Sequence, residues 1–370
     1  MKSIKVIVVA GARPNFMKVG PFMRQIVSYN EAKGPQAPRV DAVLVHTGQH
    51  YDENMSQVFF RELGIRRPDI NLGVGSGTHA FQTAGILTSF EAVCGRERPD
   101  WVVVVGDVNS TMACTLVCAK MGIRVAHIEA GLRSFDRTMP EEINRLVTDA
   151  LADLLLTPSE DAGAHLLREG VAAEKIKFVG NIMIDSLVDN LPKARSSGTL
   201  GQLKLEPARY VYVTLHRPAN VDARSNLGTL MAGLEELSRR LPVVFPVHPR
   251  TRKMLTEFKL MPHSDNRLLL LEPLGYHASL SLTENARAVL TDSGGLQEEA
   301  TFFRTPCLTL RPNTERPITL TLGSNRLTKL ESLLDDIDQV LDGPERKGQV
   351  PPLWDGHTAE RALKELLAAA

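Results

Sequence analysis

The sequence contains no apolar run that approaches the roughly 20 residues needed to span a bilayer. Its opening stretch, MKSIKVIVVAGARP, has only a short apolar run, which breaks at Gly11 without a small-residue cleavage site. This stretch therefore predicts a first β-strand and argues against a signal peptide. We expect a cytoplasmic protein whose partners do not include a membrane.

An excess of charge of one sign is also absent, because 43 Lys and Arg residues balance 43 Asp and Glu residues. A chain with a formal net charge of zero lacks the broad basic surface with which proteins hold nucleic acid. We therefore expect no nucleic acid partner. A local basic pocket for one anionic ligand is still compatible with this balance.

Cysteine is scarce, with 4 residues in 370, and these form no CxxC or zinc-ligand spacing. We expect reduced, structural thiols. The HExxH metal motif and the GxxxxGK[ST] phosphate loop are missing too, and GVGSG at 73–77 follows no convincing strand. The sequence thus predicts no catalytic metal, no nicotinamide and no other cofactor.

What the chain does contain is a repeated alternation of short Val/Ile/Leu-rich strands with helical stretches. The first series runs to about residue 180, and a second begins at 210–216 after a Ser/Gly-rich segment, 193–210, that we interpret as a linker. Continuous apolar strands separated by helices are typical of parallel sheets covered on both faces. We predict an α/β protein with two doubly wound, Rossmann-like domains and an interdomain cleft. Their predicted bounds are 1–185 and 186–356, with a helix at about 357–370 that packs back on the first domain.

Polar residues concentrate where the predicted strands end. In open parallel sheets, ligands bind outside the carboxyl ends of the strands. One Gly, His, Arg or carboxylate at such an end is often a cap or a turn, whereas many on one rim predict an active site. The chain has seven endings of this kind: GARPNFMK, TGQH, GDVNS, EAGLR, HRPAN, HPR and DSGG.

The ending TDSGGLQEEA resembles an anion site at the start of a helix. Ser293 and the backbone amides of Gly294 and Gly295 can face a phosphate there, although a tight turn is the alternative interpretation. One of Glu298 and Glu299 can accept hydrogen bonds from a ribose diol. Arg316, in the later segment TERP, is a candidate second phosphate contact.

The stretch HIEAGLRSFDRTMPEEINR, at 127–145, is the densest group of charged residues. Together with Asp107, which follows four valines, it supplies several carboxylates that suit proton transfer. Helix capping is the alternative for Asp107, and for Glu141 and Glu142 after Pro140. Structural and functional roles are both open for the histidines near strand ends: His46, His50, His127, His216 and His248.

Taken in order, eight segments resemble the non-hydrolysing UDP-N-acetylglucosamine 2-epimerases, over about residues 6 to 326. The segments are GARPNFMKVGP, TGQHYDENM, GDVNST, HIEAGLRS, PEEINR, VTLHRP, PVHPR and LTDSGGLQEEA with TERP. The resemblance implies the GT-B fold and an isomerase that needs no cofactor. It also implies a UDP-sugar substrate, UDP as a partner and a homodimer.

For the mechanism, the resemblance implies that the C2 proton is removed and UDP is expelled from C1, giving a 2-acetamidoglucal. UDP then returns while C2 is protonated from the opposite face. Asp107, Glu129 and Glu141 match the acid/base carboxylates of the family, and His216 matches a residue that assists departure of the diphosphate. Which carboxylate serves which face stays open.

The resemblance also implies a set of binding residues. The implied substrate set comprises Arg13, Lys18, Ser293, Gly294, Gly295, Glu299 and Arg316. Arg133, in the charged stretch 127–145, is a further expected substrate contact. Gln49, His50 and His248 match a site at which UDP-N-acetylglucosamine acts as an allosteric effector in many bacterial members.

The chain departs from those members in GARPNFMK and HRPAN, where they have GTRPEAIK-like and HRRE-like segments. These departures put effector activation in doubt and leave room for a modified sugar, such as a UDP-diacetamido uronic acid. A GT-B glycosyltransferase and a catalytically inactive nucleotide-sugar sensor are the competing functions. The neutral charge argues against the first, and the intact carboxylate set argues against both.

Overall fold

The structure, a computed structural model, describes residues 3–48, 66–262 and 267–370. Two compact units are present, one formed by Met1–Ser186 with Pro352–Ala370 and the other by Leu187–Pro351. Each unit is described separately below. The point of division lies inside a continuous helix, Ile182–Arg195.

In its described residues, the first unit forms a seven-stranded parallel sheet with the order β3-β2-β1-β4-β5-β6-β7. The strands are β1 Ser3–Ala10, β2 Arg39–His46, β3 Ile70–Asn71, β4 Trp101–Val105, β5 Arg124–Ile128, β6 Leu154–Thr157 and β7 Ile176–Phe178. The helices are α1 Arg13–Ala32, α2 His79–Glu97, α3 Asn109–Met121, α4 Pro140–Leu151, α5 Glu160–Arg168 and α6 Ile182–Arg195.

The strand order places β1 inside the sheet. β4 is fully buried along its length, as expected for a Val-rich strand with helices on both faces. After β3 the chain crosses to the other side of β1, so β2 and β4 pair in parallel with opposite edges of that strand. The loops after β1 and β4 therefore lie side by side, which is where ligands bind in open α/β sheets.

The second unit repeats this arrangement with a six-stranded parallel sheet of order β10-β9-β8-β11-β12-β13. Its strands are β8 Val211–Thr214, β9 Val243–Pro246, β10 Leu268–Leu271, β11 Ala288–Thr291, β12 Cys307–Leu310 and β13 Asn325–Thr328. Its helices are α7 Thr199–Gln202, α8 Pro218–Val221, α9 Arg224–Ser238, α10 Pro249–Glu257, α11 Tyr276–Asn285, α12 Gly294–Phe303, α13 Ile318–Thr321 and α14 Leu333–Asp342. The predicted α/β class with two Rossmann-like halves is confirmed.

The prediction of a linker at 193–210 is wrong, because part of this segment is helical. Its first residues complete α6, and α7 lies within it. The backbone amide of Ala208 then donates to Asn285 O, at 2.8 Å. Ser and Gly are common both in linkers and at helix ends, and this ambiguity misled the sequence interpretation.

A last helix, α15 (Thr358–Ala368), belongs to the first unit although it follows the second in sequence. The buried carboxylate of Asp185 accepts hydrogen bonds from the amides of Thr358 and Ala359, at 3.1 and 2.7 Å, and so caps α15. Just before it, Trp354 Nε1 donates to Pro158 O at 3.0 Å. None of the helices in the described ranges has the length and hydrophobicity required to cross a bilayer.

Gly180 lies in close contact with the segment that precedes α15. Its φ is +94°, and a Cβ atom there would lie 2.2 Å from Leu353 O. We expect Gly180→Ala to destabilise the first unit by about 2 kcal/mol or more, because both the backbone and the contact become strained. Urea unfolding followed by circular dichroism measures this change.

Gly163→Ala is the matched control, because a Cβ on that helical glycine meets only Ile176 Cγ2, at 3.7 Å. It should leave stability unchanged or raise it by up to about 1 kcal/mol. Equal unfolding midpoints for the two variants would contradict the role assigned to Gly180.

Candidate active site

In the first unit, the loops after β4 and β5 meet around Gly106. This residue has φ +65°, and a Cβ atom there would lie 2.8 Å from Lys18 Nζ and 3.3 Å from Glu129 Oε2. Only glycine combines this backbone conformation with such close neighbours. Gly106 therefore allows the β4 loop to lie directly against the side chains of Lys18 and Glu129.

Lys18 and Glu129 form a buried ion pair through Nζ and Oε2. Only 8% of Lys18 and 6% of Glu129 is exposed. Glu129 also has φ +75°, which is unusual for a residue that is not glycine. Strained backbone of this kind concentrates at functional sites, and two residues predicted from the sequence are brought into contact here.

Asp107 forms an ion pair with Arg145 of α4 through Oδ2, and its side chain is still 31% exposed. Its other oxygen, Oδ1, has no protein partner within the described residues. The N-cap of the following helix is Val108, so Asp107 does not act as the side-chain cap that the sequence left open. Its buried partner and exposed edge suit a residue that contacts a ligand.

The two adjacent glutamates of α4 have different environments. Glu142 is 1% exposed and accepts hydrogen bonds from Ser134, from the Phe135 amide and from Arg145, at 2.7 to 3.0 Å. Burial by itself would raise the pKa of Glu142, but these donors hold that pKa below its ordinary value. Glu142 is thus a structural carboxylate.

Glu141 is exposed and lies one helical turn before Arg145, on the same face of α4. This placement keeps it accessible beside the Asp107–Arg145 pair. Arg13 begins α1, but its side chain lies outside the described part of the structure.

Arg133 does not lie open to a ligand. Its guanidinium donates to Asp149 at 2.7 Å, to Glu169 at 2.6 and 2.8 Å and to Leu132 O at 2.7 Å, and 1% of the residue is exposed. These bonds engage all three of its nitrogens. A structural role therefore fits Arg133 better than the substrate contact expected from the sequence.

Two asparagines that the sequence interpretation missed organise the same loops. Asn15 accepts from the amides of Gly11 and Ala12, at 3.0 and 2.9 Å, and donates to Val105 O at 3.2 Å. Asn144 donates to Asp107 O at 2.9 Å. Their positions in GARPN and PEEIN were visible, but nothing in the letters distinguishes a loop-binding amide from an ordinary surface one.

In the second unit, the fully buried carboxylate of Asp292 lies at the end of β11. It accepts from the amides of His216 and Arg217, at 2.9 and 2.8 Å, and from Asn220 Nδ2 at 3.0 Å. Its Oδ1 lies 2.9 Å from His216 Nδ1. Burial would raise the pKa of Asp292, but His216 and the other donors hold it below its ordinary value.

This arrangement fixes the orientation of His216. With Nδ1 held by Asp292, the opposite ring nitrogen, Nε2, is directed away from the carboxylate, and 41% of the His216 side chain is exposed. An oriented imidazole of this kind can donate a proton or a hydrogen bond to an anion. Asp292 itself was not among the residues predicted from the sequence.

The first turn of α12 presents the backbone amides of Gly294 and Gly295, and its N-cap, Ser293, makes no capping bond with its own side chain. A helix N-terminus with unpaired amides favours an anion. A Cβ on Gly294 would lie 2.7 Å from Arg316 Nη1. The guanidinium of Arg316 is therefore packed against this turn, which adds a positive charge to the positive end of the helix dipole.

Two glutamates hold Arg316 in that place. Its Nε donates to Glu298 Oε1 at 2.7 Å, and its Nη1 pairs with Glu315 Oε1. Glu315 also accepts from Arg311 Nη2 at 2.8 Å. Burial opposes the charge of Glu315, but Arg316 and Arg311 lower its pKa well below the ordinary range. Arg316 is thus a fixed cation and not a mobile surface residue.

Glu299 is a buried carboxyl on the second turn of α12, with 7% of the residue exposed. Burial, with the added repulsion of Glu298, raises the pKa of Glu299 from 4.5 to about 8. Near neutral pH it is mainly a protonated acid that can both donate and accept a hydrogen bond.

Among the predicted effector residues, only His248 lies in the described part of the chain; Gln49 and His50 lie outside it. The ring of His248 is 5.3 Å from that of His216, and its Nδ1 accepts from the Arg250 amide at 3.2 Å. Burial and the charge of His216 lower the pKa of His248. Within the described ranges, no group of three or more His, Cys, Asp or Glu side chains could hold a metal ion.

The sequence also matches a known protein family. Residues 33–367 match the family model described as UDP-N-acetylglucosamine 2-epimerase. The chain belongs to the UDP-N-acetylglucosamine 2-epimerase family. The prediction of this family from the sequence, and with it of an isomerase, is confirmed.

Curated relatives extend over nearly the whole chain. A UDP-N-acetylglucosamine 2-epimerase of Methanocaldococcus jannaschii is 40% identical over 372 residues, covering 98% of this chain and 99% of the relative. A UDP-2,3-diacetamido-2,3-dideoxy-D-glucuronate 2-epimerase of Pseudomonas aeruginosa is 39% identical over 327 residues, covering 88% of each chain.

Among solved structures, the Methanocaldococcus jannaschii UDP-GlcNAc 2-epimerase in complex with UDP-GlcNAc and UDP superimposes with a TM-score of 0.87. It shares 40% identity and covers 99% of this chain and 100% of its own. The predicted GT-B fold class is confirmed by this likeness within the 2-epimerase family.

The raised pKa of Glu299 predicts a distinct pH dependence for this family member. Because the folded state holds the proton more tightly than the unfolded chain, stability should fall as pH rises from about 4.5 towards about 8. The slope contributed by one such group is at most about 1.4 kcal/mol per pH unit. We expect Glu299→Gln to remove this contribution in urea unfolding across that range.

Glu236→Gln is the control for this measurement, because Glu236 is half exposed on α9 and pairs only with Arg239 in the described chain. Its unfolding free energy should follow the parent at every pH. The unfolding free energies of the parent and of Glu299→Gln are then plotted against pH. If the two plots have the same slope and differ only by a constant, Glu299 is not protonated in the folded state.

Proposed function

We propose that this protein interconverts UDP-N-acetylglucosamine and UDP-N-acetylmannosamine by inverting C2 of the sugar. A base removes the C2 proton, the C1–O bond to UDP breaks, and 2-acetamidoglucal forms with UDP as the leaving group. UDP then adds back to C1 while an acid protonates C2 from the opposite face. No electrons are transferred to a cofactor in either half of this sequence.

The observation that supports the proposal most strongly is the set of charges at the β4 and β5 loops. Asp107 and Glu129 each lie at the end of a buried strand, and each is paired with a cation, Arg145 or Lys18. Inversion at C2 requires a proton acceptor on one face and a donor on the other. Two separately paired carboxylates can supply that, and the exposed Glu141 adds a third.

Expulsion of UDP must carry much of the reaction, because C2–H has no adjacent carbonyl and is weakly acidic. Preorganised donors at the developing charge provide this kind of stabilisation. We assign the diphosphate to Ser293, the amides of Gly294 and Gly295, and Arg316, with His216 assisting its departure. Glu299 is assigned to the ribose hydroxyls.

Lys18 and Arg13 are assigned to the ligand from the first loop. The Lys18–Glu129 ion pair makes Lys18 a partner of the acid/base group as well, because its charge compensates the buried carboxylate. We propose a cytoplasmic location, as the composition of the sequence indicates, and a homodimer, as the family resemblance implies. Activation by UDP-N-acetylglucosamine stays a prediction.

A second substrate is supported by the Pseudomonas aeruginosa relative, whose name specifies a UDP-diacetamido uronic acid and whose identity is within one per cent of that of the Methanocaldococcus enzyme. The reaction at C2 is the same in both cases. The two candidates differ in the substituents at C3 and C5, so the substrate itself must be varied.

The function is tested by incubating the protein with UDP-N-acetylglucosamine in D₂O and recording proton spectra. We expect loss of the C2 proton signal and appearance of the manno isomer. A parallel reaction with UDP-2,3-diacetamido-2,3-dideoxy-D-glucuronate identifies the alternative substrate. Absence of exchange with both sugars, with and without added UDP-N-acetylglucosamine as effector, would overturn the proposal.

Asp107→Asn tests the acid/base assignment in the same assay. We expect C2 exchange to fall by about 100-fold or more, because general acid–base catalysis contributes on that order. UDP affinity, measured by calorimetry, should change little, since the assigned UDP residues lie in the other unit.

Asp41→Asn, on the exposed face of β2, is the matched control and should exchange at the parental rate. If Asp107→Asn retains full exchange, Asp107 is not an acid/base group.

A further inference from the structure

His127 is the buried histidine at the centre of the first-unit site, and the proposed chemistry gives it no role. It lies on β5 and is 0% exposed. Its Nδ1 is 2.6 Å from Asp149 Oδ1, and its Nε2 is 2.8 Å from Gly106 O. Both ring nitrogens are therefore engaged, one by a side chain of α4 and one by the backbone of the β4 loop.

The two partners fix the position of the ring. A backbone carbonyl can only accept a hydrogen bond, so Nε2 donates to Gly106 O. Burial would raise the pKa of Asp149, but His127 and Arg133 hold that pKa below its ordinary value. The ring therefore joins the β4 loop to a carboxylate of α4.

Asp149 connects the His127 ring to the second loop. Its Oδ2 accepts from the Gly131 amide at 3.1 Å and from Arg133 Nη1 at 2.7 Å. Gly131 follows Glu129 by two residues and has φ +81°, with no space for a side chain beside Ala162 O. The contact between His127 and Asp149 thus holds Gly106 on the β4 loop and Gly131 on the β5 loop.

We propose that His127, held in place by Asp149, is a positioning residue that sets the distance between Asp107 and Glu129. Asp107 is bonded directly to Gly106, and Glu129 lies next to the segment that Asp149 fixes. A shift of either loop moves an acid/base carboxylate relative to C2. This inference rests on the proposed function for its catalytic consequence.

The charged groups around His127 are few. Asp149 faces it from α4, Arg133 faces Asp149 from the loop after β5, and Glu169 at the end of α5 pairs with Arg133. Removing the His127 ring takes one hydrogen-bond partner from Asp149, which keeps Arg133 and the Gly131 amide, and leaves the Gly106 carbonyl without this donor. This loss is the physical reason for the expected displacement.

The test separates positioning from stability. We expect His127→Gln to lower kcat for C2 exchange by about 10- to 100-fold, as for a displacement of about 1 Å at a reacting centre. KM and the Kd for UDP should stay within about twofold of the parent. Full exchange activity in this variant would overturn the positioning role.

Glu169→Gln is the matched control, because it changes the outer partner of Arg133 and leaves the contact between His127 and Asp149 in place. It should lower the unfolding midpoint and keep the parental kcat. If both variants lose kcat in proportion to their loss of stability, the network is only structural and the inference fails. If His127→Gln does not fold, His127→Asn is measured by the same criteria. Absence of exchange in wild-type protein instead counts against the proposed function.

Discussion

The burial of charge at the ends of β4 and β5 is the constraint around which the first unit is built. An isolated carboxylate in such a place would lose its hydration. Lys18 pairs with Glu129, Arg145 with Asp107, and Arg133 with Asp149. Each of these three carboxylates is matched by a cation from a different element, so the elements must assemble correctly before the charges are tolerated.

The second unit concentrates positive groups, as the proposed binding of a diphosphate requires. The helix N-terminus and Arg316 are both positive and lie in contact. Glu298 and Glu315 compensate the guanidinium from the side, and Glu315 is shared with Arg311. The carboxylates fix the direction of the guanidinium, while the first turn of α12 presents its amides at a helix N-terminus, which favours an anion.

Much of the fold was predictable from the sequence, because runs such as the four valines of β4 and the paired Gly residues of α12 have few structural alternatives. The residue types of the site were also predictable in outline, since in each unit they follow strands whose carboxyl ends lie at one edge of the sheet. The distinction between Glu141 and Glu142 was not predictable, because helix-start carboxylates look alike until burial separates them.

The roles of Arg133 and Asp292 were hidden for a related reason. Arg133 was placed with the substrate because it stands in a charged motif, yet its partners, Asp149 and Glu169, are 16 and 36 residues away in sequence. From the sequence, Asp292 is predicted only to be part of a turn. The pairing of β8 with β11 brings it to His216. Long-range ion pairs carry no local periodicity that a sequence pattern can report.

The return of α15 to the first unit has a consequence for biosynthesis. A ribosome completes residues 187–351 before it delivers the segment that caps Asp185 and covers Gly180. The unit made first is therefore the unit finished last, and the second unit is complete in sequence while the first still lacks its final helix. Loss of the last turns of α15 should therefore destabilise the first unit, which carries Asp107 and Glu129, although most of that unit lies early in the sequence.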